Sequence, residues 1–388
     1  MTDKIIYLDH NATTPVDQRV LEVMLPYFTE IYGNAASIDH EYGYQAKNAV
    51  DKAREQIAKA INAQPDEIIF TSGATESDNI AIFGVAEKYE HRGKHIITCV
   101  TEHKAVLDCC KRLESKGYGI TYLPVDQFGK VDIAELKKAI KPETILISIM
   151  AANNEIGTIA PLTEIGAIAK QHKILFHSDA AQAVGHIPID VQKMNIDLLS
   201  ISGHKIYGPK GIGALYRRKS NPRVFLSPVI YGGGHEKGVR SGTLNVPAIV
   251  GMGVAIDLAS KGMKPEAIRL QKLVSTMQML LQEVIPGISL NGHPTERLPH
   301  NLNITIPGIE SKALIVQLKN VAIAAGSACT TTNVEPSHVI MALGFGEERA
   351  HTSIRISVGR ATTEKDIIDA SNYLIDAITS ISKLATFS

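Results

Sequence analysis

Ser200-Ile201-Ser202-Gly203-His204-Lys205-Ile206-Tyr207-Gly208-Pro209-Lys210-Gly211 is the stretch from which the fold can be read. An apolar, strand-like run over 196–201 ends in a Ser-Gly-His-Lys turn, and glycine and proline follow at once. The lysine is thereby held at the end of a strand, close to backbone. Taken alone it reads as a loop lysine on the surface. The same position would suit a Schiff-base nucleophile, which needs desolvation and cationic neighbours to lower its pKa.

The pattern of an apolar run ending in polar residues recurs along the chain. Runs at 68–70, 96–100, 145–150, 174–176, 198–201 and 212–216 read as strands, with helical patterns at 76–89, 105–116, 133–140 and 163–172 between most of them. Near-continuous apolar strands alternating with helices predict an α/β fold whose mainly parallel sheet is covered on both faces. Ligands of such sheets sit at the carboxyl ends of the strands. Upstream, apolar spacing predicts helices over 17–31 and 45–61. Beyond about residue 251 the pattern shifts to a long helix through 284, interrupted near Gly262. Strands at 302–306, 321–325 and 354–358 follow, then a helix over 364–384. We expect a large α/β domain over 16–255 and a smaller α+β domain made of 1–15 with 256–388.

Bulk composition narrows the function. The 388 residues are 44% hydrophobic, and 40 Lys plus Arg balance 40 Asp plus Glu. A core of good size is affordable, and nothing in the charge argues for nucleic acid or a membrane surface. No uninterrupted apolar run approaches the ~18 residues that would span a bilayer. Four cysteines make no disulfide framework and no zinc spacing. With no signal-peptide pattern before the first strand, a reduced, cytoplasmic protein is expected.

The residues after successive strands carry the chemistry. Thr71-Ser72-Gly73-Ala74-Thr75-Glu76 opens a helix with small residues, as a phosphate cup does, although an ordinary capped helix start looks the same. His103, Asn153-Asn154, Asp179 with Gln182, and Ser202-Gly203-His204-Lys205 follow the next strands in turn. Together these groups match the needs of pyridoxal phosphate (PLP): an amine, a carboxylate for the pyridine nitrogen, a stacking ring and a phosphate site.

In this combination the chain closely resembles the IscS/NifS group of cysteine desulfurases, which are class V, fold type I PLP enzymes. The resemblance extends through Gly232-Gly233-Gly234-His235-Glu236, Arg240-Ser241-Gly242-Thr243, Gly326-Ser327-Ala328-Cys329-Thr330 and Ser353-Ile354-Arg355. It implies a seven-stranded, mainly parallel sheet between helices. It also implies conversion of L-cysteine to L-alanine with a persulfide on Cys329, feeding iron–sulfur cluster assembly and tRNA thiolation.

By the same resemblance Lys205 is the covalent anchor and moves the Cα proton. Asp179 pairs with the pyridine nitrogen, Gln182 and Asn154 address the ring hydroxyl, and His103 stacks and works as acid and base. Ala74, Thr75, Ser202 and His204 bind the phosphate, and Thr243 reaches the phosphate site of the partner in a homodimer. Asn34, Asn154 and Arg355 bind substrate, Arg355 as a bidentate clamp on its carboxylate. No resident metal is implied, although Cys329 would transiently ligate a cluster on an iron–sulfur scaffold protein acting as sulfur acceptor. Ala35 stands where these enzymes usually have proline. Selenocysteine lyase and other class V aminotransferases are the alternatives, and a non-catalytic homologue would lack one of Lys205, His103 and Cys329.

Overall fold

The computed structural model describes residues 5–325 and 336–385. Its strands are β1 (Ile6–Tyr7), β2 (Ile68–Thr71), β3 (His95–Cys99), β4 (Gly119–Leu123), β5 (Thr144–Ser148), β6 (Leu175–Asp179), β7 (Leu198–Ser202), β8 (Gly213–Arg217), β9 (Ser289–Leu290), β10 (Asn301–Thr305), β11 (Val321–Ala322) and β12 (Ser353–Ser357). Seven of them form one sheet in the order β2-β8-β7-β6-β5-β3-β4. Only β8 runs against its neighbours. β2, β3, β5, β6 and β7 therefore all end on the same rim.

Alternation of side chains explains why both faces are covered. Ile97, Ile147, Phe176 and Leu199 belong to one buried cluster, while Ile96, Leu146, Leu175 and Leu198 belong to another on the opposite face. The first eight helices are α1 (Gln18–Met24), α2 (Pro26–Thr29), α3 (Glu41–Ala60), α4 (Ala74–Lys88), α5 (Lys104–Glu114), α6 (Ile133–Ala139), α7 (Leu162–Gln171) and α8 (Val246–Val284). Helices α4 and α5 cover the second face, with Ile80, Val85, Val106 and Leu113 buried there. A third cluster joins Leu8, the end of α8, β10, β12 and the last helix, Glu364–Ala385. β1 pairs in parallel with β11, so the N-terminal residues are built into this third cluster.

Three local expectations are corrected. The helix expected over 17–31 is two helices, because Pro26 lacks an N–H and starts a new one. The expected interruption near Gly262 is absent: α8 runs unbroken for 39 residues with Pro265 inside it. Tertiary packing overrides the breaker, since Ile256 and Ala259 are held by the first cluster and Leu270 and Leu273 by the third. By length and composition α8 would cross a membrane, but its apolar positions serve two cores. β4, not expected from the sequence, has no continuous apolar run because it is half-exposed along most of its length.

A buried ion pair fastens the segment before α8 to this frame. Arg54 of α3 makes a two-pronged contact with Glu236 at 2.7 and 2.9 Å, and Glu236 also accepts from the Phe70 N–H at 2.7 Å. Replacing Arg54 by Ala strands a buried carboxylate, so the urea unfolding midpoint should fall by the equivalent of about 3–5 kcal/mol. Wild-type stability in Arg54→Ala would show that this pair is not a structural tie.

Candidate active site

A cavity of about 630 Å³ opens on the rim where β2, β3, β5, β6 and β7 end. Lys205 lies in the short 3-10 turn Gly203–Lys205, directly after β7. Its Nζ donates to the carbonyls of Asn11 at 2.6 Å and Ala12 at 2.7 Å. Gln182 Nε2 donates to the same Asn11 carbonyl at 2.8 Å, and the Asn11 amide donates to the Asn154 carbonyl at 3.1 Å. Asn11 Oδ1 is buried without a hydrogen bond, a polar atom still open to a ligand.

The proton-bearing groups are set mainly by backbone. Asp179, the last residue of β6, is buried and accepts from the Ala181 N–H at 2.9 Å. Burial raises its carboxyl above the ordinary value, while the Ala181 N–H, His103 and Lys205 pull it down. His103 caps α5, its Nδ1 accepting from the Ala105 N–H at 3.1 Å. The neutral ring therefore keeps its proton on Nε2. His204 sits 3.1 Å from the Thr13 hydroxyl, and burial, with Lys205 and Lys210, lowers it to about 4.

The start of α4 has the backbone geometry that an anion site requires. Gly73, at φ 157 and ψ 178, occupies a backbone region that side chains avoid, and no side chain caps the helix behind it. Ala74 and Thr75 line the cavity, so the free N–H groups of the first turn stand beside Ser202 and His204. Glu76 fixes the turn, accepting from the Ser72 N–H at 2.8 Å and from Arg240 at 2.7 Å. A lysine amine, a buried carboxyl, an imidazole and this cup along one wall are a donor set that fits PLP.

Of the residues singled out in the sequence, Ala74, Thr75, His103, Asn154, Asp179, Gln182, Ser202, His204, Lys205 and Arg355 all line the cavity. Arg355 of β12 is 3% exposed and already oriented, donating to Asp9 at 2.8 Å and to the Asn154 carbonyl at 3.0 Å. Its Nε has no partner. Asn34 and Thr243 are exposed and line no part of this cavity. Cys329 lies outside the described residues. The other three cysteines are buried; burial first of all pushes the Cys99 and Cys109 thiols up to about 12 and the Cys110 thiol higher still. Sequence reasoning missed Asp9, Asn11, Thr13 and Asp78. The first three had a signal: a polar run, Asp9 to Thr14, between a strand and Pro15.

Behind Lys205, His186 donates to the Lys205 carbonyl at 3.1 Å and packs on the ring of His300 at 4.3 Å. His10 is 7% exposed nearby, and burial chiefly lowers it to about 4. Its folded value lies below the unfolded one, so the folded chain binds fewer protons between about pH 6.5 and about pH 4. The stability due to neutral His10 is complete above that window and is lost as pH falls through it. Between about pH 7.5 and about pH 5.5, wild type should lose about 1.4 kcal/mol more than His10→Gln in urea titrations. Parallel losses in the two proteins would show that His10 does not titrate on unfolding.

Residues 6–369 match the family described as Aminotransferase class-V. "Cysteine desulfurase IscS" of Anaeromyxobacter dehalogenans (strain 2CP-C) is 51% identical over 362 residues, covering 93% of this chain and 89% of the relative. A solved structure described as "NIFS-LIKE PROTEIN" superposes with a TM-score of 0.90 at 39% identity, over 97% of this chain and 99% of that one. Another, "SspA in complex with cysteine", gives 0.81 at 40% identity over 91% and 98%.

Proposed function

The chain belongs to the class-V aminotransferase family, and from that membership and the cavity we infer that it is a PLP-dependent cysteine desulfurase. The observation that carries the reading is the convergence of Lys205, Asp179, His103 and the α4 cup on one cavity. It turns L-cysteine into L-alanine and passes the sulfur on for iron–sulfur cluster assembly. PLP supplies an aldehyde that holds amines and a ring that takes up electron density from Cα.

The residues then divide the work. The α4 N-terminus, Ser202 and His204 hold the phosphate. Asp179 keeps a negative charge against the pyridine nitrogen, and Gln182 and Asn154 orient the ring. Lys205, leaving its two carbonyl partners, anchors the cofactor and later moves the proton at the substrate Cα. His103, with its proton on Nε2, faces the substrate sulfur. Arg355 orients the substrate carboxylate from a position Asp9 has already set. Cys329 accepts the sulfur as a persulfide, a task unsuited to three buried thiols kept protonated.

The active form is a homodimer in a cytoplasmic setting, with an iron–sulfur scaffold protein as sulfur acceptor, and the chain divides into domains at about residues 15 and 255. Two observations support the dimer. Thr243 is exposed and outside its own chain's cavity, and Leu25, Phe28, Tyr32, Ile38, Tyr42 and Tyr44 crowd one exposed stretch.

Cys329→Ser should keep the absorbance of bound PLP yet release no sulfide from cysteine, whereas normal turnover would remove Cys329 from the mechanism. Alanine and sulfide should appear from wild type without any added keto acid; a keto-acid requirement would favour an aminotransferase. Lys205→Ala should lose the covalent cofactor band, and Thr243→Ala should weaken PLP retention in a dimer of unchanged mass. PLP retention like wild type in Thr243→Ala would refute a phosphate contact across the interface.

A further inference from the structure

Four fully buried polar side chains under α4 have no part in the scheme above. Ser148 of β5, His177 of β6 and Ser200 of β7 stand on neighbouring strands. Ser148 Oγ is 2.8 Å from His177 Nδ1, and Ser200 Oγ is 3.0 Å from His177 Nε2. Asp78 descends from α4, its Oδ1 3.5 Å from His177 Nε2. Asp78 also lines the cavity, as Asp179 does, and feels the charge of Asp179. Neither of its oxygens has a hydrogen bond of normal length, and among the described residues no lysine or arginine is paired with it.

An ionised carboxylate in such a place is expensive, and two carboxylates lining one cavity cannot both be ionised cheaply. The titratable groups facing Asp78 are His177 and Asp179 of β6, Glu102 after β3 and Cys109 of α5. Only His177 among them can carry positive charge, and burial lowers its ring to about 3. The neutral imidazole leaves the proton with Asp78. Burial, then Asp179, holds that carboxyl well above its ordinary value; Glu102 adds to this and the Ser200 hydroxyl opposes it.

We propose that Asp78 is a positioning residue kept as the neutral acid, its proton facing the Ser200 hydroxyl and His177 Nε2, so that Asp179 is the single negative charge presented to the pyridine nitrogen. The proposal rests on the assignment of Asp179 to that nitrogen. Infrared spectra of the PLP-loaded enzyme should contain a protonated-carboxyl C=O band that shifts when aspartate is ¹³C-labelled and stays when glutamate is. The band should vanish in Asp78→Asn and survive in Asp179→Asn. No aspartate-sensitive band in labelled wild type, a readout needing no substitution, would overturn the proposal, as would a band that persists in Asp78→Asn. The ¹⁵N resonance of labelled pyridine nitrogen should move in Asp179→Asn. An unmoved resonance would remove the link to the cofactor, while the infrared band would still decide whether Asp78 holds a proton.

Discussion

The backbone carbonyl of Asn11 accepts from both Lys205 and Gln182, and the rest of the site depends on that one oxygen being where it is. Asn11 belongs to the N-terminal segment, which β1 and the Asp9–Ser357 bridge tie to the C-terminal strands. Lys205 and Gln182 belong to the rim of the large sheet. Thr14 adds a second fastening, its hydroxyl donating to the His204 carbonyl at 2.8 Å and accepting from the Tyr207 N–H at 2.9 Å. The cavity is therefore lined both by the N-terminal segment, which packs with the third hydrophobic cluster, and by the rim of the large sheet.

Backbone groups hold most of the reactive side chains. Carbonyls hold the Lys205 amine, the Ala105 N–H holds His103, and the Ala181 N–H holds Asp179. Such partners come with the secondary structure, at positions determined by strand ends and helix caps. Arg355 combines a side-chain and a backbone partner, Asp9 and the Asn154 carbonyl, and His204 meets the Thr13 hydroxyl.

Legibility in the sequence followed burial. Strands covered on both faces, such as β3, β5, β6 and β7, announced themselves as apolar runs because both their sides need apolar residues. β4 did not, because most of its length is only half-covered. Pro26 and Pro265 carry the same local signal and had opposite outcomes: one divides a short helix, the other is absorbed by a helix anchored in two cores. Only packing on both sides separates them, and packing is not written locally.

The sequence alone determined the α/β class and the order of groups at the strand ends, because polar residues after each apolar run occupy a fixed place in a parallel sheet. Tertiary structure decided what those groups touch. The carbonyls of Asn11 and Ala12 lie more than 190 residues from Lys205, Asp9 is 346 residues from Arg355, and Asp78 meets His177 only because α4 crosses β5, β6 and β7. Long-range contacts of this kind leave no periodicity to read. They follow from how helices and sheet close around buried surface, and that closure settles which carboxyl can keep a charge.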